Sequence, residues 1–294
     1  MDIAFNINQL ALRGLGATLT SLIKHCSNSL EIKFWFLCSD LQKADKSTIN
    51  ALLQSAQFQG TVEFIDFDAK AAFGHLPPLR GDWTAYGRLL IPSHINTVRC
   101  LYLDTDVIVL LDILTIKDFP FNGNLLAAVH GCIVAQSLDN SFFINRLGWS
   151  REHPYFNSGV LLFNSQAWRA DNMDSRWTAL ANEYGSDLIS HDQTLLNAVC
   201  NGLFATLPPS FNIEWTPAVE KPLNTHGTIL HFVGSPKPWD FGGKYLHKGY
   251  STWLNYNQIY WGTAYSSVTL QKLMRHWNMK GSIVKNVFRK LRRL

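Results

Sequence analysis

Over the first hundred positions, apolar residues fall alternately into short runs and helix-spaced stripes. Asp2 to Ile7 reads as a strand, and Leu15, Leu19, Leu22 and Ile23 behind it recur at the spacing of one helix face. Glu31 to Leu37 predicts a second strand, Ser47 to Phe58 a helix and Thr61 to Phe67 a third strand. Tyr86 to Ile95 mixes helix and turn before the buried run Cys100-Leu101-Tyr102-Leu103. Such alternation predicts an α/β sandwich around a mixed, mainly parallel central sheet flanked by helices. Ligands of such sheets bind beyond the carboxyl ends of the strands, which directs attention to the residues after Ile7, Leu37, Phe67 and Leu103. Beyond Asp106 the pattern loosens into shorter strands at Leu125 to Val129, Gly159 to Phe163 and Gly227 to Leu230, with a helix at Asp192 to Cys200. That half reads as mixed α+β.

Composition adds that the chain can bury a large core: 47% of its 294 residues are hydrophobic and 16% charged, which excludes a disordered chain. No Pro/Ser/Gly-rich linker divides Met1 from Tyr250, so residues 1–250 are expected to form one domain and 251–294 a helical basic tail. Five widely spaced cysteines without a C-x-x-C argue for buried thiols rather than disulfides or a zinc site. Charge changes the picture more. The net +4 conceals a tail, residues 271–294, with eight Lys or Arg and no acid, against 18 basic and 22 acidic residues in 1–270.

In that tail Ile283, Val284, Val287, Phe288, Leu291 and Leu294 recur at helical spacing, opposite Lys285, Arg289, Lys290, Arg292 and Arg293. A basic amphipathic helix with Met274 and Trp277 just upstream suits an anionic membrane surface, at about 1 kcal/mol per basic residue. Basic residues without interleaved aromatics, on an acidic body, argue against nucleic acid. No apolar run reaches about 18 residues and the start lacks the regions of a signal peptide, so a cytoplasmic location is expected, peripheral to the inner face of the membrane.

Gly14-Leu15-Gly16 after a strand, with Asp40 after the next, suggests a dinucleotide-binding turn, but Leu19 stands where a third glycine is needed and the strand ends too early. The chemically suggestive feature is Asp104-Thr105-Asp106. Carboxylates at i and i+2 in extended chain point to one side and suit a hard divalent cation. Its position after a buried strand and before Val107-Ile108-Val109-Leu110 sets it apart from Asp66-Phe67-Asp68, which runs into a solvated loop.

An ordered series over most of the chain resembles glycosyltransferase family 8, in particular the bacterial transferases that extend lipopolysaccharide or lipooligosaccharide cores. The series is Met1 to Phe5, Thr84 to Leu89, Leu101 to Val107, Phe156 to Asn164, His191-Asp192-Gln193 and His231 to Trp239. The resemblance implies a GT-A type nucleotide-sugar transferase fold, residues 1–110 as its nucleotide-binding half and 111–250 as its acceptor and metal half. It implies retaining transfer of a hexose, galactose or glucose, from a UDP-sugar donor to a lipid-linked saccharide acceptor. Asp104, Asp106 and His231 would hold Mn²⁺, with Mg²⁺ possible. Arg88 would lie near the donor phosphate and sugar, and Gly234 and Lys237 would serve the phosphates by close backbone approach and a point charge. Asn157 and Ser158 match sugar-contacting positions, and Asp192 and Gln193 those nearest the anomeric carbon.

Plainer roles stand beside these: a core histidine for His231, a pair with Asp82 for Arg88, a helix N-cap for Asp192. Two positions depart from the family's pattern. Asn8 can bond the base, but Ala11 stands where an aromatic would stack on it, and His130 replaces an expected Asp. These departures carry the alternative of a sugar-nucleotide-binding member with altered donor or lost transferase activity.

Overall fold

In the computed structural model, which describes residues 1–217, 219–265 and 281, ten strands make two sheets. The large sheet comprises β1 (Asp2–Ile7), β2 (Lys33–Cys38), β3 (Thr61–Asp66), β4 (Cys100–Leu103), β6 (Leu126–Ile133), β7 (Pro154–Phe163) and β8 (Ala205–Leu207) in the order β3-β2-β1-β4-β7-β6-β8. β7 runs antiparallel to its neighbours β4 and β6, and the remaining pairs are parallel. β5 (Val107–Val109), β10 (Ile229–His231) and β9 (Ile213–Glu214) form the small sheet.

The sheet's two faces bury separate apolar sets, as a parallel sheet requires. On one, Phe5 stacks on Phe36 with Phe34 tilted against both, and the three receive Leu12, Leu15, Leu19 and Leu22 of helix α1 (Leu12–His25). On the other, Ala4, Tyr102 and Leu161 meet Tyr86, Leu89, Trp168 and the helix Asp192–Cys200. The expected elements are present with shifted ends: helix α2 spans Lys43–Ser55, and Thr84–Leu90 is a 3₁₀ helix leading into Ile91–His94.

Three differences bear on the site. Asp104-Thr105-Asp106 is a turn rather than extended chain, because the backbone leaves the large sheet at Leu103 and enters the small one at Val107. β7 begins at Pro154, so Asn157 and Ser158 sit inside the strand, and β6 bulges on either side of His130. Gly14 is a packing glycine inside α1: a Cβ there would lie 2.3 Å from the Thr105 carbonyl oxygen and 2.8 Å from the Trp239 ring. The glycine that imitates a phosphate-binding turn thus lets α1 press against the D-x-D turn, where Thr18 Oγ1 also donates to the Thr105 and Val107 carbonyls.

The body continues past residue 250, with Trp253 and Trp261 buried and Trp261 Nε1 donating to the Leu12 carbonyl of α1. The basic stripe from Ile283 to Leu294, and Met274 and Trp277, lie outside the described residues. No described helix is long and apolar enough to cross a membrane.

Candidate active site

The carboxyl ends of β1 and β4 and the first half of β7 meet at one edge of the sheet, because β7 runs against β4 and pairs Val160 with Leu103. Asp104, Asp106 and His231 meet there, with one donor atom of each within 4.8 Å of the others. Each carboxylate is split between two tasks. Asp104 Oδ1 accepts from Arg88 Nη2 at 2.9 Å and from Tyr102 Oη, and Asp106 Oδ2 pairs with Lys237 Nζ. Their other oxygens turn inward, with Asp104 Oδ2 3.7 Å and Asp106 Oδ1 3.2 Å from His231 Nε2. Asp106 Oδ1 is buried, and among the described residues no hydrogen bond reaches it.

The hydrogen-bond network fixes which nitrogen of His231 is engaged. The Gly159 N–H can only donate, so Asn157 Oδ1 is the acceptor at 2.9 Å; the Asn212 group that meets Asn157 Oδ1 at 3.1 Å is therefore its Nδ2. Asn212 Oδ1 must then face His231 Nδ1, 2.9 Å away, so Nδ1 carries a hydrogen and Nε2 is the nitrogen turned to the two inward carboxylate oxygens, where it can offer a lone pair to a cation. Three ligand atoms converge there. Gly159 makes the room: a Cβ there would lie 2.3 Å from His231 Cε1 and 2.9 Å from Asp104 Oδ2. Two hard carboxylate oxygens and one imidazole nitrogen fit a divalent ion of the Mn²⁺ or Mg²⁺ type.

Arg88 joins this cluster to the opposite wall. Its guanidinium is 7% exposed, lies 4.6 Å over the Tyr102 ring, and bonds Asp104, Asp192 Oδ2 (3.1 Å), the Ser158 carbonyl (2.7 Å) and Ser158 Oγ (2.9 Å). Asp82, suggested above as its partner, instead accepts from Asn8 Nδ2 and caps the Thr84 N–H. Asp192 is no N-cap either: His191 holds that position, and the Asp192 carboxylate turns inward to Arg88 and Ser158 Oγ. Burial raises the Asp192 pKa, with Arg88 opposing. At Asp106 burial also acts upward, but Lys237 holds that carboxyl well below the usual range.

Gln193 lies beside Asp192, its Oε1 accepting from the Ser158 N–H at 3.0 Å and its Nε2 donating to Tyr155 Oη at 3.0 Å. Gly234, at φ +76°, is in the loop that carries Lys237 back to Asp106 and the Phe232 carbonyl. His130 is exposed and lines a cavity of about 290 Å³ with Asn157, Asn212 and Glu214, next to the cluster. Asn8 is set apart, tied to Asp82 and to the Ala11 N–H.

The sequence reading missed Tyr102, Tyr155, Asp139 and Asn212. Only Tyr102 carried a local signal, two residues before Asp104 and so able to reach it. The others arrive from distant segments.

The mixed, mostly parallel sheet flanked by helices, with a D-x-D turn at its carboxyl edge, is a GT-A fold. The chain belongs to Glycosyl transferase family 8, whose sequence model matches residues 2–242, and it is a glycosyltransferase. It is 25% identical over 270 residues to General stress protein A of Bacillus subtilis, covering 85% of this chain and 91% of that one. It is 25% identical over 261 residues to lipopolysaccharide 1,3-galactosyltransferase of Salmonella typhimurium, covering 83% and 74%. Its fold matches that of the galactosyltransferase LgtC, solved with donor and acceptor sugar analogs, at a TM-score of 0.70 and 24% identity over 92% of this chain and 98% of that one.

Proposed function

We propose that the protein is a metal-dependent, retaining hexosyltransferase that moves galactose or glucose from a UDP-sugar to a saccharide acceptor, the lipopolysaccharide or lipooligosaccharide core. The observation that carries the metal reading is the enforced convergence of His231 Nε2 with the inner oxygens of Asp104 and Asp106. A divalent cation there, Mn²⁺ or Mg²⁺, supplies neutralisation of the diphosphate as UDP leaves. The likeness to lipopolysaccharide transferases supports the donor and acceptor classes.

The chain's own groups divide the remaining work. Arg88 and Lys237 hold the outer carboxylate oxygens so that the inner ones face the cluster. Asn157, Ser158 and Asp192 offer oxygens and nitrogens for sugar hydroxyls. Gln193 is a weak nucleophile whose Oε1 is already accepting a backbone N–H, which favours front-side attack over a covalent intermediate. In that step the bond from C1 to the phosphate oxygen breaks, the bond from C1 to the acceptor oxygen forms on the same face, and the acceptor proton passes to the departing phosphate.

A second reading, a nucleotide-sugar binder without transfer, draws on Asn8, whose amide is engaged by Asp82 and Ala11 rather than open to a base. UDP release from a panel of UDP-sugars, with Mn²⁺ and with EDTA, separates the two. Metal-dependent release from UDP-galactose or UDP-glucose is expected; UDP-sugar binding without turnover on water or on any saccharide acceptor contradicts transfer. An acceptor of that class would put the enzyme at the cytoplasmic leaflet, and flotation of the full chain on anionic liposomes, lost on truncation at Gln271, is the result expected of a membrane-bound tail.

A further inference from the structure

Asp139 is fully buried, and among the described residues no cation pairs with it. A carboxylate in that position needs hydrogen-bond donors, and three supply them: Tyr155 Oη to Oδ2 at 2.5 Å, and the Ser190 N–H and Thr194 Oγ1 to Oδ1 at 3.0 and 2.9 Å. Ser190 and Thr194 bracket His191-Asp192-Gln193. Within that bracket His191 has φ 56° and ψ −118°, a conformation a non-glycine residue adopts only when its surroundings hold it. Asp139 thus grips both ends of a strained turn that carries Asp192 and Gln193 against Ser158.

The same carboxylate reaches Gln193 by a relay whose direction is forced. The Ser158 N–H can only donate, so the Gln193 oxygen faces it and the Gln193 Nε2 must face Tyr155. The Tyr155 oxygen then accepts from Gln193, and its hydrogen goes to Asp139. Burial, reinforced by the Asp139 charge, raises the Tyr155 pKa and keeps that hydrogen in place. No other arrangement of the Gln193 amide satisfies both neighbours.

We propose that Asp139 and Tyr155 are positioning residues for the sugar end of the pocket: they set the orientation of the Gln193 amide and hold the turn that presents Asp192 and Gln193 to the donor. The inference rests on the transferase reading for its kinetic consequence, and on the geometry alone for its structural one. Tyr155→Phe removes one oxygen from the relay and leaves the ring in its packing. With UDP-sugar as substrate, kcat for donor hydrolysis is expected to fall about 10- to 100-fold with little change in KM. In a Gln193→Ala background the same substitution is expected to cause a much smaller loss, since the relay acts through Gln193 and only the hold of Asp139 on the turn is left to disturb. An equal loss in both backgrounds, or a lower melting temperature with kcat unchanged, overturns the proposal.

A readout free of turnover decides the case should the wild type release no UDP, which would count against the transferase reading instead. The Gln193 side-chain NH₂ protons, assigned by their absence in Gln193→Ala, are expected to exchange slowly with solvent in the full-length protein and at least tenfold faster in Tyr155→Phe. Identical exchange in the two proteins contradicts the relay. Asp139→Asn, which places an amide among donors, is expected to act in the same direction as Tyr155→Phe.

Discussion

At the β4–β5 turn, the inner oxygens of Asp104 and Asp106 and Nε2 of His231 face one another, while Arg88 and Lys237 hold the outer oxygens. Across the pocket, Asp139, Tyr155, Gln193 and Ser158 satisfy one another through hydrogen bonds from neutral donors. Among the described residues, the first wall has two carboxylates and an imidazole nitrogen turned toward one another with no further group between them; the second is complete. The difference separates two ways of building a site. On the proposed function, the wall that would meet diphosphate charge is the one a cation would finish, whereas the wall that would orient a neutral sugar is finished by the fold. Arg88 is shared, with Asp104 on one side and Asp192 and Ser158 on the other.

Breaking the first wall is expected to have the largest effect on activity. Asp104→Asn or Asp106→Asn should lower transfer about a thousandfold while circular dichroism shows an intact fold; near-normal transfer in either would remove that carboxylate from the cation site. Cutting the connection between the walls comes next. Arg88→Ala leaves two carboxylates without their buried partner, and denaturant unfolding should show a loss of about 3–5 kcal/mol. An exposed, dispensable arginine would show less than about 1 kcal/mol.

The smallest effect is also the most diagnostic of the contrast. Lys237 depresses the Asp106 pKa, so the folded protein binds that proton less readily than the unfolded chain, and stability is lost as pH falls below about 4. Burial raises the Asp192 pKa, so its protonation favours the folded state and works the other way. Between pH 6 and 3, stability should therefore fall less steeply in Asp106→Asn than in the wild type and more steeply in Asp192→Asn. Parallel curves for all three proteins would mean that the two carboxyls sit in equivalent surroundings.

Much of the first wall was legible in the sequence because its signals are local. A buried apolar run ending in Asp-x-Asp announces a strand end with charges on it, and the fold class follows from the alternation of Phe34-Trp35-Phe36-Leu37 with the Leu15, Leu19 and Leu22 stripe. What the chain conceals is long-range. No local signal marks Asp139; Tyr155 on β7 and Ser190 and Thr194 at the two ends of one turn close around it from two other segments. Asn212 acquires its role only through Asn157 and Gly159 on β7. The local rule also misled at Asp192, where a residue type suited to capping turned instead toward a buried guanidinium. Gly14 and Gly16 imitate a phosphate loop for a reason no local rule could show, which is close contact with the Thr105 carbonyl and the Trp261 ring.

The central claim is that the network through Asn212 aims three lone pairs at one point so that a divalent cation binds there. Titrating Mn²⁺ into the UDP-saturated protein, followed by electron paramagnetic resonance, tests it in the wild type and in Asn212→Leu, which keeps all three ligands and removes the acceptor that sets the His231 tautomer. The account predicts saturable binding in the wild type and about 10- to 100-fold weaker binding in the variant. Equal affinity in the two proteins, or no Mn²⁺ binding by the wild type, would contradict it.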